Sequence, residues 1–423
     1  MTDARGARVP AVAFILVTVL LDVLAFGIIA PVLPALIVEF EGGDAASAAE
    51  YYGLFAIAWA AMQFVFSPVL GMLSDRYGRR PVLLISLTGL GLDYILMALA
   101  PTLLWLFIGR VISGITAATY STASAYIADV TPPEQRAQKF GLIGAAFGIG
   151  FIAGPALGGV LGEVDPRLPF WVAAVLTLAN ALYGWFVLPE SLPPEKRARS
   201  FQWSKANPVG ALMLVRSRAG LGGLVAVNFL YIVAHYVLTA VMVIYAAYRY
   251  EWGPREVGLV LAFIGLCTAI VQGGLVGPVV RRLGERRAVL LGLGATVVAY
   301  TGYAFAPSGA WLYAVVPIGA LSGFYGPALA SLMTQRVDPH EQGQLQGVNG
   351  SLLGIAGLFA PGLFAFVFAA AIRHPPESAL YLPGAPFFLA AVIVLAALVL
   401  AWRVARRGGA AAVAPSVEKQ AAG

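Results

Sequence analysis

Apolar stretches of about 20 residues alternate with short polar loops along the whole chain. At a rise of 1.5 Å per residue, roughly 20 residues carry a helix across a bilayer core. The pattern predicts twelve such helices, near 11–37, 51–73, 81–100, 103–127, 138–162, 168–188, 220–248, 256–280, 287–306, 310–334, 342–371 and 384–405. A polar stretch from Pro189 to Arg218 separates the first six from the second six. The third and fourth are joined by a tight turn at Ala100, Pro101 and Thr102. The first apolar run is too long for the core of a cleavable signal, and a helical hairpin follows it, so it is read as a span.

Composition points the same way. Of 423 residues, 60% are hydrophobic and 11% charged, with a mean hydropathy of +0.82. Soluble domains carry roughly 25% charged residues. This chain could not keep such a surface wet, so lipid must solvate much of it. Its single cysteine, Cys267, excludes an intrachain disulfide framework and any Cys-based metal site. His235, His340 and His374 show no ligand spacing. The net charge of +6 is not a nucleic-acid signature, because the basic residues sit in short loops between apolar stretches. With the N-terminus inside, 22 Lys and Arg fall on the cytoplasmic side and four on the other, namely Arg167, Arg249, Arg255 and Arg373. That bias predicts a multi-pass protein of a bacterial-type inner membrane with both termini cytoplasmic.

The chain also repeats itself. GMLSDRYGRRPVLLIS at 71–86 aligns with GPVVRRLGERRAVLLG at 277–292, an offset of 206, and VTPPEQRAQKFG at 130–141 aligns with VDPHEQGQLQGV at 337–348, an offset of 207. The predicted organisation is a six-helix half at 1–188, a basic cytoplasmic linker at 189–219, a second six-helix half at 220–405 and a cytoplasmic tail at 406–423. Two parallel repeats predict a substrate path at the midplane between the halves, with access alternating by rocking.

Two motifs stand out, with four further segments beside them. The loop between the second and third spans holds Gly71, Asp75, Arg76, Gly78, Arg79 and Arg80. Gly71 is expected to let two helices approach, and Gly78 to permit a turn closed to bulky residues. Asp75 is expected to cap a helix end or pair with an Arg across the halves, as a conformational latch on the cytoplasmic side. The fifth span carries GIGFIAGPALGG, with Gly150, Gly154, Pro155, Gly158 and Gly159 forming a close-packing face. Pro155 also bends the helix. LDVLAFGIIAPVLPALI, LTGLGLDYILMALAPTL, GRVISGITAATYSTASAYIAD and GLVLAFIGLCTAIVQGG complete the set. Together they resemble the major facilitator superfamily, and within it the tetracycline/proton antiporters. The resemblance implies an all-α fold of twelve transmembrane helices in two pseudo-symmetric halves. It further implies a proton-driven exporter, with the fifth-span motif marking antiport. Many tetracycline exporters carry a His in the eighth span and an Asp in the ninth. Thr268 and Thr296 stand at those places here.

Charges inside spans are costly and so mark function. Only Asp22, Asp93 and Arg110 lie clearly inside one. Arg110 is expected to pair with Asp22 or Asp93, and the trio to couple transport to protons. A static ion pair bracing the first, third and fourth spans is the structural alternative. Gln63, Asn228, His235, Gln272, Thr296 and Asn349 are candidates to line the substrate cavity, although such residues more often bond between helices. The substrate is expected to be a small amphipathic drug, tetracycline leading. An importer or exporter of another metabolite is the rival on the same fold. A membrane receptor or intramembrane enzyme is more remote, since no HExxH, Gly-x-Ser-x-Gly or P-loop motif is present. No cofactor or metal is expected, and the protein is expected to work as a monomer.

Overall fold

The computed structural model describes residues 8–117, 119–197, 215, 220–338, 341–378 and 380–412. Among them, all regular structure is helical. The first half comprises α1 (Arg8–Ile29), α2 (Leu33–Phe40), α3 (Ala45–Tyr77), α4 (Arg79–Ala98), α5 (Leu103–Thr116), α6 (Thr119–Val130), α7 (Pro133–Val164) and α8 (Leu168–Val187). The second comprises α9 (Leu221–Tyr250), α10 (Pro254–Ile270), α11 (Val276–Leu283), α12 (Glu285–Ala304), α13 (Gly309–Ala320), α14 (Tyr325–Thr334), α15 (Gln342–Ile372) and α16 (Ala385–Ala412). Helix thus falls on every predicted span. Ten of the helical stretches are long and apolar enough to cross a membrane by length and composition. The predicted fourth and ninth spans fall instead on the α5–α6 pair and on α12, which opens with Glu285, Arg286 and Arg287. The predicted linker is described only at 189–197 and 215, and the predicted tail only to 412; the rest of both, with residues 1–7, lies outside the described residues.

Two predicted spans are interrupted outright, and two more, the eighth and tenth, pass through a π turn and a 3₁₀ turn. The first span parts between Ile29 and Leu33. Pro31 has no N–H to donate, and Pro34 suits the first turn of the helix that follows. The fourth span parts after Thr116, whose hydroxyl donates to the Ile112 carbonyl at 3.0 Å. Such back-bonding competes with the helical ladder and bends helices.

The repeat is visible in the backbone. Helices α4 and α12 are each 20 residues long and begin 206 positions apart. Each follows a glycine in the left-handed region, Gly78 at φ 108° and Gly284 at φ 76°. Both glycine amides donate back into the preceding helix, to Ser74 O at 3.1 Å and Val280 O at 2.9 Å. A side chain at either φ is strained, which is why the sequence repeats glycine there. The break after Thr116 has its partner in a 3₁₀ turn at Leu321–Phe324. Pro68 inside α3 likewise has its partner in a π turn at Val271–Leu275.

Packing divides the chain differently from the repeat. One compact unit joins Met1–Asn207 to Val237–Leu266 and Gly357–Pro386; the other gathers Pro208–Tyr236, Cys267–Ala356 and Phe387–Gly423. In the first, α1 lies on α7 and α8, α4 on α8 and α3 on α5. Its core includes Phe14, Ile15, Leu83, Leu87, Tyr126 and Ile127, all fully or nearly fully buried. In the second, α12 lies on α13 and α14.

Candidate functional site

The three intramembrane charges all belong to the first unit: Asp22 on α1, Asp93 on α4 and Arg110 on α5. Asp93 is 1% exposed, and neither of its carboxyl oxygens has a hydrogen-bond partner among the described residues. Asp22 Oδ1 and Arg110 Nε are buried and unpartnered as well. A Cβ at Gly109 would lie 2.9 Å from Asp93 Oδ1 and 2.5 Å from Met97 Cγ, so a residue without a side chain lets the carboxyl sit beside Arg110. The guanidinium carbon of Arg110 stands 5.5 Å from the centre of the Trp59 ring, and that ring lies 5.9 Å from Phe26. Buried Tyr94 lies within electrostatic reach of Asp22, Asp93 and Arg110 together.

Arg110 and Asp93 attract each other electrostatically, but no hydrogen bond joins them among the described residues. Arg110 also faces an aromatic ring, an attraction that desolvation strengthens. A buried carboxyl without a partner is costly as an anion and far less so once it holds a proton. That is the property a proton site needs. Tyr94 and Gly109 escape a search for charges, since one is aromatic and the other acts by having no side chain.

The second unit holds a neutral polar cluster. Asn228 Nδ2 donates to Asn349 Oδ1 at 3.0 Å, and the Tyr325 hydroxyl donates to Asn228 Oδ1 at 3.2 Å. His235 stacks on Tyr231 at 5.4 Å and 18°, with Nδ1 3.1 Å from the Tyr300 hydroxyl. Gln272 is exposed, with its Cγ 3.2 Å from where a Cβ on Gly323 would stand. Thr296 corrects the expectation: it is 1% exposed and its hydroxyl is spent on the Gly292 carbonyl at 2.8 Å, so it offers a ligand nothing. Gln63 is half-buried on α3 in the first unit. Asn180 bonds between helices, taking the Thr18 hydroxyl at 3.2 Å and donating to the Thr18 carbonyl at 3.4 Å.

The charged segment where α3 meets α4, with only Gly78 between the helices, is tied inward. Arg79 pairs with Asp75 at 2.6 Å and Asp129 at 3.1 Å, and donates to Ser74 Oγ at 2.7 Å. Gly78 gives α4 no side-chain cap. Glu190, from beyond α8, supplies one: its carboxylate accepts the Arg79 amide at 2.8 Å and the Arg80 amide at 3.3 Å. An acid there also answers the positive end of the helix dipole. Arg80 donates to the Trp185 carbonyl at 2.5 Å, and Arg76 lies over Tyr77, 5.4 Å from its ring centre. At Gly71 a Cβ would meet nothing within 4 Å, so the close helix approach expected there is absent. Glu190→Ala is expected to slow turnover several-fold with ligand affinity within twofold, measured as transport and binding on the same preparation. A large affinity loss with normal turnover would contradict a capping role.

The glycines of α7 do pack closely, on two faces. Cβ atoms at Gly150 and Gly154 would lie 3.1 Å from Leu20 O and 2.8 Å from Leu24 O on α1, and one at Gly158 would run into the Ile28 carbonyl. On the other face, a Cβ at Gly159 would meet Pro254 O at 2.6 Å, and Cβ atoms at Gly258 and Gly265 of α10 would meet the Pro155 carbonyl and, at 2.6 Å, Ile152 Cγ1. All of these lie in the first unit. Two ion pairs also join the repeats within this unit, Glu50–Arg373 at 2.7 Å and Glu163–Arg255 at 3.7 Å. Both acids come from the first repeat and both bases from the second. Arg255 and Arg373 are two of the four basic residues that the charge count placed outside.

A profile of the Major Facilitator Superfamily matches residues 15–361. The class C tetracycline resistance protein of Escherichia coli is 39% identical over 360 residues, covering 85% of this chain and 90% of that protein. The class G tetracycline resistance protein of Vibrio anguillarum is 40% identical over 350 residues, covering 83% and 88%. Among solved structures, the human organic anion transporter TETRAN aligns with a TM-score of 0.67 at 25% identity, over 93% of this chain and 99% of that one. A D-xylose–proton symporter shares the fold at a TM-score of 0.72 and 16% identity, over 93% and 97%. Repeated helices that each follow a left-handed glycine, charged residues within the spans of the first repeat and a profile spanning most of the sequence leave one assignment: the chain belongs to the major facilitator superfamily and is a multi-pass membrane transporter, not an enzyme.

Proposed function

We propose that the protein exports a small amphipathic aromatic drug in exchange for protons, with tetracycline the leading candidate. The observation that carries the reading is the pair of acids in the same unit as Arg110: Asp93, with both carboxyl oxygens buried and without a hydrogen bond, and half-buried Asp22, with its Oδ1 in the same state. They give the transporter a place to hold a proton. Relatives of 39% and 40% identity that bear the name tetracycline resistance protein support the substrate. The proton gradient drives transport by alternating access, with no cofactor. The protein sits in the inner membrane as a monomer, with both termini and the 189–219 linker cytoplasmic.

Expression in a pump-deficient host tests the substrate. A clear rise in tetracycline tolerance, lost in Asp93→Asn, is expected. No rise for tetracycline with a rise for other lipophilic drugs would keep the exporter and remove tetracycline. Topology is tested by impermeant thiol labelling of cysteines placed at 195–205 in a Cys267→Ser background. Protection in intact cells is expected, and labelling from outside would overturn the orientation.

A further inference from the structure

The repeat relates the two polar centres residue by residue. Asn228 stands 206 positions after Asp22, and Tyr300 stands 206 after Tyr94, the same offset that relates the two pivot glycines. The repeat-equivalent positions have diverged in chemistry. In the first repeat the acid keeps an unpartnered oxygen beside other charges. In the second the amide is satisfied on both sides, by Asn349 and by Tyr325. An amide locked in this way neither takes up a proton nor holds a charge. What the second centre presents instead is a ring. His235 is residue 15 of the 30 in α9, so it lies at mid-depth of its span, and it is exposed. A polar imidazole at that depth is costly against lipid, so its accessible face belongs to the protein's interior path.

The ring is also fixed in place. Tyr231 stacks beneath it, and Tyr325 lies 4.0 Å from Tyr231 between ring centres. Tyr300 holds Nδ1 at 3.1 Å, and Nε2 has no hydrogen bond among the described residues. A ring held by a stack and by a hydroxyl on its Nδ1 is preorganised to recognise one edge of a flat ligand. Tyr300 lies one helical turn beyond Thr296 on α12, so the imidazole serves the stretch where Thr296 itself offers nothing.

We propose that His235 is the specificity-determining contact of the second repeat, its Nε2 hydrogen-bonding the oxygen-bearing edge of a planar, multi-ring ligand that lies against the Tyr231–His235 stack. The inference rests on the exporter reading and names which part of the substrate the second repeat reads. A site built to hydrogen-bond a group discriminates strongly against ligands that lack it. The test is binding to purified protein, followed by tryptophan quenching, with two probes: tetracycline, which carries an oxygen-rich edge, and ethidium, a flat cation with none. His235→Ala is expected to weaken tetracycline by about tenfold, the scale of one lost hydrogen bond, and ethidium by less than twofold. Tyr300→Phe keeps every ring and frees the imidazole to turn; it is expected to weaken tetracycline severalfold, again sparing ethidium. Equal losses for both probes in both variants would make His235 a packing residue and overturn the proposal. Unchanged tetracycline binding in His235→Ala would overturn it too, while leaving the exporter reading intact. Failure of the wild-type protein to bind either probe would remove both readings together.

Discussion

Asp93→Asn is expected to abolish uphill export while leaving downhill exchange of substrate. The amide keeps the shape of the carboxyl, so the Gly109 niche still fits it, but it cannot take up a proton. A proton crossing about 150 mV releases about 3.5 kcal/mol. That energy concentrates a neutral substrate by a few hundred-fold. Without the proton, only the substrate's own gradient remains. The measurement is uptake by everted vesicles with and without an imposed gradient. Asp22→Asn is expected to fail in the same assay, because Asp22 Oδ1 is likewise buried and unpartnered. If both variants pump with an ordinary pH dependence, the coupling site lies elsewhere. Gly109→Ala gives a second test of the geometry. Its methyl would press within 2.9 Å of Asp93 Oδ1, so reduced coupling is expected although no titratable group has changed.

Gly158→Val is expected to remove transport and lower thermal stability, because its side chain would be driven into the Ile28 backbone carbonyl. Backbone cannot rotate aside as a side chain can. Overpacking of this kind costs about 1–3 kcal/mol and more where nothing yields. Gly258→Val faces the same problem against the Pro155 carbonyl. The contrast is with Gly144 and Gly148 on the same helix, where a Cβ would meet nothing within 4 Å. Alanine there is expected to leave transport within twofold and to stabilise the helix slightly. Resistance levels and melting of the purified variants decide it. Equal damage at 148 and 158 would show that the glycines act through helix flexibility, not close packing.

Composition and periodicity alone determined the membrane, the number of predicted spans and the repeat. Lipid rewards apolar length whatever the tertiary contacts, and an offset of 206 is visible in letters before it is visible in φ. Gly78 was legible for the same local reason: a tight turn between charged residues limits which side chain can stand there. Asp22, Asp93 and Arg110 were legible because charge inside an apolar run is rare. What charge does once buried was not legible. Pairing of Arg110 with an acid is the cheapest guess from sequence, yet the guanidinium lies over Trp59, and a ring 51 positions away is placed by the packing of α3 on α5. Gly71 and Gly158 look alike as letters, both small residues in helices, and only the fold puts a neighbour against one of them. Thr296 and His235 show the same limit from the polar side. A hydroxyl on an apolar helix reads as a ligand contact until the structure shows it bonded to the carbonyl four residues back. Glu190, from beyond α8, caps a helix that begins 111 positions earlier. Long-range partners of this kind depend on which helices meet, and that is set by the summed shape of whole faces, which no local spacing encodes.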